Sequence, residues 1–167
     1  PTTCVCSVPG WRTCRADGTA ASDPCANKWW SVYCSGTRVI QLDLNGNGLT
    51  GSIPDSIGQM TGLAYLDLNS NGLTGSIPDS VWQMTELGML DLSNNGLTGS
   101  IPDSIGQMTG FMTSWYGNLY LGSNRLTGSI PDSIGQLTGL KGLTLNNNSL
   151  TGSIPDSIGQ MTELKVL

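Results

Sequence analysis

The side chains that could do chemistry in this sequence are carboxylates, hydroxyls and thiols, because the chain contains no histidine. Without an imidazole, neither a Ser–His nor a Cys–His nucleophile pair can be built. Two aspartates could act as the acid and the base of a glycoside hydrolase. That chemistry needs a pocket that raises the pKa of one carboxyl group, and nothing in the sequence supplies one. We therefore expect no enzymatic activity and no cofactor.

The thiols are confined to one end, since all five cysteines lie within the first 34 residues. This concentration is typical of a disulfide-stapled cap in an oxidising compartment. Metal binding is the competing interpretation. It is disfavoured because histidine is absent and because only one residue separates Cys4 from Cys6, which is poor spacing for zinc. We expect disulfide bonds and no metal site, with one thiol of the five left free or paired outside the chain.

Charge is sparse and negative, with seven Lys and Arg against twelve Asp and Glu, a net of −5. The few cations are scattered along the chain, so the sequence offers no basic patch for nucleic acid or for an anionic membrane surface. No apolar run is long enough for a transmembrane helix. We expect no nucleic-acid partner and no membrane insertion.

The elements that position these side chains follow from an internal repeat. The octapeptide Leu-Thr-Gly-Ser-Ile-Pro-Asp-Ser begins at Leu49, Leu73, Leu97, Leu126 and Leu150. Successive starts are separated by 24, 24, 29 and 24 residues, so one interval carries a five-residue insertion. A fixed period in this range predicts a solenoid, in which each repeat packs on its neighbours.

A short strand precedes each octapeptide, in the pattern Leu-x-x-Leu-x-Leu-x-x-Asn-x-Leu that first runs from Val39 to Leu49. Alternate residues of a strand face opposite sides, and strands of consecutive repeats should pair in parallel with right-handed crossovers. The asparagine after each strand should satisfy backbone groups of its own and the neighbouring turn. This structural Asn ladder comprises Asn47, Asn71, Asn95, Asn124 and Asn148.

The octapeptide itself should form the return path of each repeat. Its Leu and Ile point inward and its Thr and Ser outward, which predicts a second, shorter sheet on the flank. Pro and the following Gly residues favour 3₁₀ turns over long α-helices on the convex side. The Asp after each Pro could bind calcium, but ligands one repeat apart form poor cages, and helix-start chemistry is the favoured interpretation.

The segment from Asp23 to Cys34, DPCANKWWSVYC, resembles the D-P-C-x3-W-x-G-V-x-C segment of plant-type leucine-rich repeat proteins, with Ser31 in place of the usual Gly. The Leu-x-Gly-x-Ile-Pro element is also typical of plant-type repeats. The resemblance covers residues 23–167. It implies an α/β solenoid: a right-handed horseshoe with a parallel concave sheet, short flanking strands, 3₁₀ turns on the convex side and an N-terminal cap held by a Cys25–Cys34 disulfide bond.

Two regions are expected, a cysteine-rich cap over residues 1–38 and the repeats over residues 39–167. The repeat region holds five full repeats, one of them with the insertion, and a truncated sixth. The chain stops at Leu167, in the middle of a predicted strand. An open parallel edge is adhesive, so we expect missing residues or end-to-end self-association at this edge.

Plant-type relatives include receptor-kinase ectodomains and polygalacturonase inhibitors, which are extracellular binders. The resemblance therefore implies a secreted or extracellular recognition module for a protein, peptide or glycan. In horseshoe folds the outward strand positions line the concave face, and here they mix carboxylates with aromatic rings, which suits a basic or polar partner. The expected binding residues are Gln41, Asp43, Tyr65, Asp67, Met89, Asp91, Asn118, Tyr120 and Thr144.

The insertion, between Gln107 and Leu119, brings Trp115 and Tyr116 near the fourth strand. Loops that carry aromatic residues often take part in recognition. The alternative is a bulge whose rings fold back onto the core. The sequence leaves both interpretations open.

Ice binding is the alternative function, because the octapeptides place hydroxyls in two regular rows. Such rows resemble those of ice-binding solenoids, and some plant-type leucine-rich repeat proteins are antifreezes. The same block is ordinary scaffold in other relatives, which weighs against this interpretation. The residues are Thr50, Ser52, Thr74, Ser76, Thr98, Ser100, Thr127, Ser129, Thr151 and Ser153.

One glycosylation candidate follows from the sequence Asn147-Asn148-Ser149, which matches the acceptor pattern for N-linked glycans. Modification requires Asn147 to face solvent. The alternative is a chance match in an asparagine-rich row.

Overall fold

The leucines of the repeat build the main sheet of the computed structural model, which describes residues 31–167. The strands of this part of the chain are β1 (Val32–Ser35), β2 (Arg38–Asp43), β3 (Thr50–Gly51), β4 (Tyr65–Asp67), β5 (Gly72–Ser76), β6 (Met89–Asp91), β7 (Gly96–Thr98), β8 (Asn118–Tyr120) and β9 (Gly142–Thr144). The main sheet has six strands in the order β1-β2-β4-β6-β8-β9. The pairs from β2 to β9 are parallel, as predicted, whereas β1 pairs with β2 in the antiparallel direction.

The register of the main sheet stacks one inward leucine of each repeat on the next. Each of these side chains is at most 7% exposed, so the sheet has a continuous apolar inner face. The leucines that pair in this way are Leu42, Leu66, Leu90, Leu119 and Leu143. Trp82 and Phe111 are the largest fully buried side chains among the described residues. A stack of this kind satisfies the requirement that each repeat bury its apolar row against its neighbours.

The octapeptides form a second parallel sheet, in the order β3-β5-β7. Beyond β7 the ladder continues as single bridges, from Ser100 to Thr127 and from Ser129 to Thr151. The predicted flanking strands are therefore present, and they shorten to isolated bridges after the insertion.

The third side of the repeats consists of 3₁₀ helices, as predicted, at Asp55–Gln59, Val81–Gln83, Asp103–Gln107, Asp132–Gln136 and Asp156–Gln160. Pro54 precedes the first of these helices in an extended conformation, and its carbonyl accepts a hydrogen bond from Ile57 N–H at 3.0 Å. A Cβ at Gly58 would lie 2.5 Å from Cβ of Ser80 in the next repeat. Glycine at this position therefore allows successive 3₁₀ turns to stack closely.

The single α-helix of the described residues, α1 (Gly110–Thr113), lies in the insertion rather than in a regular repeat. No helix in residues 31–167 is long and apolar enough to cross a membrane.

The asparagines after the strands connect consecutive repeats. Asn95 Oδ1 accepts the N–H of Leu73 at 3.0 Å, and its Nδ2 donates to the carbonyls of Leu68 at 3.0 Å and Leu92 at 3.2 Å. The same arrangement recurs at Asn71, Asn124 and Asn148. Each amide thereby satisfies backbone groups of its own turn and of the preceding repeat, which would otherwise be unpaired in a partly buried position.

The predicted cap lies mostly outside the described residues, including Cys4, Cys6, Cys14 and Cys25. Cys34 is disulfide-bonded. Residues 31–167 contain no other cysteine, so its partner also lies outside them. The pairing of Cys34 with Cys25 and the boundary between residues 38 and 39 stay predictions.

Candidate functional site

Three carboxylates lie side by side on the outward face of the main sheet. The register pairs Asp43 with Asp67 and Asp67 with Asp91 on adjacent parallel strands, whose spacing is about 4.8 Å. In each case Oδ1 accepts the backbone N–H two residues further on, at 3.3 Å from Asn45, 2.9 Å from Asn69 and 2.9 Å from Ser93. Aspartate therefore ends these three strands by capping the turn that follows. We call these residues the carboxylate row.

The carboxylate row is negatively charged without a cation beside it among the described residues. Burial raises the pKa of Asp67, and the charges of Asp91 and Asp43 raise it further. The N–H of Asn69 and the hydroxyl of Tyr65 oppose this shift. Burial and the same three carboxylates raise the pKa of Tyr65 to about 12. Every charged group that shifts these two side chains is thus an anion.

An aromatic pair lies beside the row, since Tyr65 precedes Asp67 by two residues in β4. The rings of Tyr65 and Tyr116 meet edge to face, with centroids 5.6 Å apart and planes at 71°. Tyr65 belongs to β4, whereas Tyr116 lies just before β8, so the contact crosses the position of β6. Met89 of β6 is only 7% exposed although it occupies an outward register position. The hydroxyl of Tyr65 also donates to Asp67 Oδ2, at 3.5 Å.

The insertion holds Tyr116 in this position through contacts on both sides. Phe111 of α1 is fully buried, and a Cβ at Gly110 would lie 2.5 Å from the carbonyl carbon of Glu86. Lys141 Nζ donates to the carbonyls of Ser114 at 3.2 Å and Trp115 at 2.9 Å. The loop is therefore fastened to the core by one ring and to the next repeat by one ammonium group.

The two interpretations of the insertion each describe part of it. Phe111 folds onto the core, Tyr116 is 54% exposed, and Trp115 is 94% exposed. The sequence predicts a role for the two exposed rings, Trp115 and Tyr116, but none for Phe111 or Lys141. The apolar Phe111 within the insertion is the sequence signal that could have indicated an anchor in the core. The bonds of Lys141 to the preceding repeat have no local sequence signature.

The expected exposure of the outward positions does not hold for Asp67, Asp91 and Met89, each 7% exposed. Asp67 and Asp91 each accept a backbone N–H from the turn that follows the strand, and Met89 lies on β6, between the strands β4 and β8. The remaining expected residues, Gln41, Asp43, Tyr65, Asn118, Tyr120 and Thr144, are partly exposed. A Cβ at Gly142 would lie 2.7 Å from Asn118 Oδ1 and 3.1 Å from Tyr120 Oη, so this glycine leaves room for both side chains.

The hydroxyl rows lie on the second sheet, and all ten of their residues are exposed. Three of the threonines donate their hydroxyl to a glycine carbonyl of the preceding repeat at 3.3–3.5 Å: Thr74, Thr127 and Thr151. These hydroxyls thus contribute to the contacts between repeats.

The final edge of the main sheet and the glycosylation candidate lie at the opposite end from the carboxylate row. Val166 forms a single parallel bridge with Gly142, and Leu167 is 70% exposed. Asn147 is exposed in the turn after β9. Self-association at this edge stays a prediction.

The fold and its outward face define a class: a repeat solenoid that presents a strand surface with charged and aromatic side chains. Residues 37–97 match the family described as leucine rich repeat, as do residues 118–137 and 139–161. No curated protein sequence matches the chain.

Several solved structures with the same fold come from plant receptors. The ectodomain of the membrane receptor kinase GASSHO1/SCHENGEN3 from Arabidopsis thaliana, in complex with CASPARIAN STRIP INTEGRITY FACTOR 2, is 38% identical with a TM-score of 0.80. The match covers 92% of this chain and 18% of that one. A chain of the Arabidopsis thaliana BIR3–SERK2 complex is 38% identical with a TM-score of 0.74, over 84% of this chain and 73% of that one.

A third structure, the Arabidopsis receptor kinase HAESA with the peptide hormone IDA and the co-receptor SERK1, is 35% identical with a TM-score of 0.65. The match covers 71% of this chain and 19% of that one. The chain therefore belongs to the leucine-rich repeat family, and it is of the plant type, similar to receptor-kinase ectodomains.

Proposed function

We propose that the chain is an extracellular, non-catalytic recognition module that binds a basic segment of a peptide or protein across its main sheet. The carboxylate row, which no cation of the described residues neutralises, is the observation that carries this proposal. We also propose that the solenoid is a right-handed horseshoe, with this face on its concave side and a disulfide-closed cap at its N-terminal end.

The electrostatics of the face favour a cationic ligand group. Asp67 and Asp91 are each only 7% exposed, and a cation beside them would relieve the repulsion that, after burial, raises the pKa of Asp67. Hydrogen bonds to charged groups are stronger than neutral ones, particularly for the two-pronged contact of a guanidinium with a carboxylate. A basic side chain, arginine above all, thus suits this position.

The aromatic residues add a second kind of contact. A cation within about 6 Å of an aromatic face is attracted to the ring, and tyrosine is one of the rings that serve. Tyr65 and Tyr116 stand beside the carboxylates, and the exposed ring of Trp115 extends the surface on the loop. Tyrosine and tryptophan are enriched among the residues that contribute most of the binding energy in interfaces.

The relatives support a peptide or protein as the partner. The GASSHO1/SCHENGEN3 structure contains CASPARIAN STRIP INTEGRITY FACTOR 2, and the HAESA structure contains a peptide hormone and a co-receptor. Partly exposed side chains on the outward face occur on β2, β4, β8 and β9, so an extended segment could contact several strands at once. A glycan remains a ligand that the experiment below includes.

Ice binding gains no support from these relatives, which are receptor ectodomains. The hydroxyls of Thr74, Thr127 and Thr151 bond to backbone carbonyls, which gives them a role within the scaffold. A thermal-hysteresis measurement on the chain and on a Thr98→Tyr variant tests the alternative directly, and we expect no activity from either.

The test is binding to arrays of immobilised peptides and glycans, followed by titration with peptides that differ only in arginine against citrulline. We expect preference for arginine peptides and a loss of roughly 10- to 100-fold in affinity for Asp67→Asn, since a hydrogen bond to a charged group contributes about 1.5–3 kcal/mol. Asparagine is isosteric and keeps an oxygen for the Asn69 N–H. Asp79→Asn, which removes an exposed carboxylate outside the row, is the matched control.

Equal binding of arginine and citrulline peptides would overturn the proposal, as would an unchanged affinity in Asp67→Asn. Selective binding of neutral glycans would place the function in a different ligand class. Tyr116→Ala separates the aromatic contribution from the electrostatic one, because it removes the ring without changing the charge.

A further inference from the structure

The turn after β9 carries the only Asn-x-Ser/Thr sequence in the chain, Asn147-Asn148-Ser149. The corresponding first positions of the earlier repeats are Gly46, Ser70, Asn94 and Ser123, and the third positions are Gly48, Gly72, Gly96 and Arg125. An acceptor sequence therefore arises only where both changes coincide, in the fifth repeat. We propose that Asn147 carries an N-linked glycan.

The backbone presents Asn147 to solvent. Its φ is +55°, the same left-handed turn conformation as that of Ser70, Asn94 and Ser123, and the residue is exposed. Asparagine is among the residues that adopt this conformation at little cost. Ser149, at the third position of the acceptor sequence, is exposed as well. Both side chains that the modification requires thus lie on the surface.

The middle residue of the sequence does not compete for the modification. Asn148 Nδ2 donates to the carbonyls of Leu121 and Leu145, both at 3.0 Å, and its Oδ1 accepts the N–H of Leu126 at 2.9 Å. Its amide is therefore used by the ladder. The Asn147 amide has one side-chain contact, a hydrogen bond from Nδ2 to Ser123 Oγ at 3.3 Å.

The hydrogen bond to Ser123 is compatible with the modification. In the transfer, a bond forms between Asn147 Nδ2 and the anomeric carbon of an oligosaccharide, while the bond from that carbon to the oxygen of its lipid diphosphate carrier breaks. The carrier leaves as its lipid diphosphate with that oxygen, and the proton that Nδ2 loses balances the negative charge gained by this leaving group. The remaining N–H can still donate to Ser123.

The attachment point of the glycan lies outside the carboxylate row. β9 lies two strands beyond β6, the nearest strand of the row, which corresponds to about 10 Å at a strand spacing of about 4.8 Å. A glycan on Asn147 would therefore be attached at the turn of the fifth repeat, next to the row and not within it. The inference rests on the extracellular location in the proposed function, but its readout does not depend on ligand binding.

The experiment is secretion of the full chain from eukaryotic cells behind a heterologous signal peptide, with intact-mass analysis and peptide mapping. We expect an oligosaccharide mass on Asn147 that a peptide N-glycosidase removes with conversion of the residue to Asp. Asn147→Gln and Ser149→Ala should abolish the mass increase, and Ser149→Thr should keep it. Asn94→Gln, at the corresponding turn of the third repeat, is the matched control and should leave it unchanged.

Unmodified Asn147 in the folded, secreted chain would overturn this inference and leave the proposed ligand surface untouched. A glycosylated chain that discriminates no arginine peptide would instead overturn the proposed function alone. Modification at another residue, retained in Asn147→Gln, would also contradict the inference.

Discussion

Asp67 shows how one residue serves the backbone and the surface together. Its Oδ1 ends the strand by accepting the N–H of Asn69, while its charge adds to that of Asp43 and Asp91. A carboxylate used only for the turn could be replaced by Asn with little loss. The repulsion within the row is a cost to the free protein that a cationic partner would remove.

Stability should depend on pH through Asp67. Because folding raises its pKa above the ordinary value of about 3.9, the folded chain holds this proton more tightly than the unfolded chain. The resulting stabilisation is complete below the ordinary value and is lost as the pH rises through the raised pKa. We therefore expect the stability of Asp67→Asn relative to the wild type to increase over that window, in denaturant titrations at a series of pH values.

Asp79→Asn provides the comparison for the loss of one negative charge, since Asp79 is an exposed carboxylate outside the row. A difference between wild type and Asp67→Asn that stays constant from acid to neutral pH would show that burial and repulsion do not act on this side chain.

At the residue scale, the sequence predicts which side chains lie on each face but not how deeply they are covered. The period identifies Asp43, Asp67 and Asp91 as outward positions, and the register places them in one row. The burial of Met89 follows from a contact between Tyr65 and Tyr116, which are 51 positions apart in the sequence. Strand alternation carries no information about such a contact.

The insertion is the element that distinguishes this chain from a regular array. Its α-helical turn places Phe111 in the core, and Lys141 of the next repeat bonds to two of its carbonyls. The sequence predicts the insertion from the break in the period. It does not predict the conformation, because five extra residues have no repeat template and their anchor lies 26 residues away at Lys141.

Removing the ammonium group should loosen the loop without unfolding the array. In Lys141→Met the carbonyls of Ser114 and Trp115 lose their donor, while the aliphatic part of the side chain is retained. We expect amide exchange at Ser114 and Tyr116 to accelerate roughly fivefold, the factor that corresponds to about 1 kcal/mol. Hydrogen-exchange mass spectrometry measures this directly.

Lys165→Met, an exposed lysine of the final segment, controls for the loss of a positive charge. Protection of the loop that is equal in both variants would show that Phe111 alone fixes the insertion and that the Lys141 contacts are incidental.

At the scale of the whole molecule, the Asn ladder joins the repeats into one array. The period and the position of each asparagine predict that the side chains bond to turns, and the structure adds the direction of the bonds. Oδ1 of Asn71, Asn95, Asn124 and Asn148 accepts from the repeat that precedes it in the chain, whereas Asn47, the first predicted member, makes no such bond. Stability in such an array is a sum of repeat terms and neighbour terms.

Removing a central asparagine of the ladder should therefore lower the free energy of unfolding more than removing the first one. Asn95→Ala leaves buried backbone groups of two repeats unpaired, and we expect a loss of about 1–3 kcal/mol in the free energy of unfolding. Asn47 is the matched control, because it is exposed and its Nδ2 donates only within its own turn, to the carbonyl of Asn45 at 3.0 Å. Asn47→Ala should cost less than about 0.5 kcal/mol.

Chemical denaturation followed by circular dichroism measures both variants. Equal losses in the two would mean that the amides act within single turns and do not couple neighbouring repeats.

The direction of these bonds also gives the array an order of completion. The N–H of Leu73 donates to Asn95 Oδ1, and the N–H of Leu97 donates to Asn124 Oδ1. The hydrogen bonds of these turns are therefore complete only when the following repeat has folded. A ribosome releases the chain from its N-terminus, so each newly emerged turn would secure the one made just before. Folding during synthesis would then proceed repeat by repeat from the N-terminus, and the most recently formed repeat would always lack the hydrogen bonds that the next one supplies.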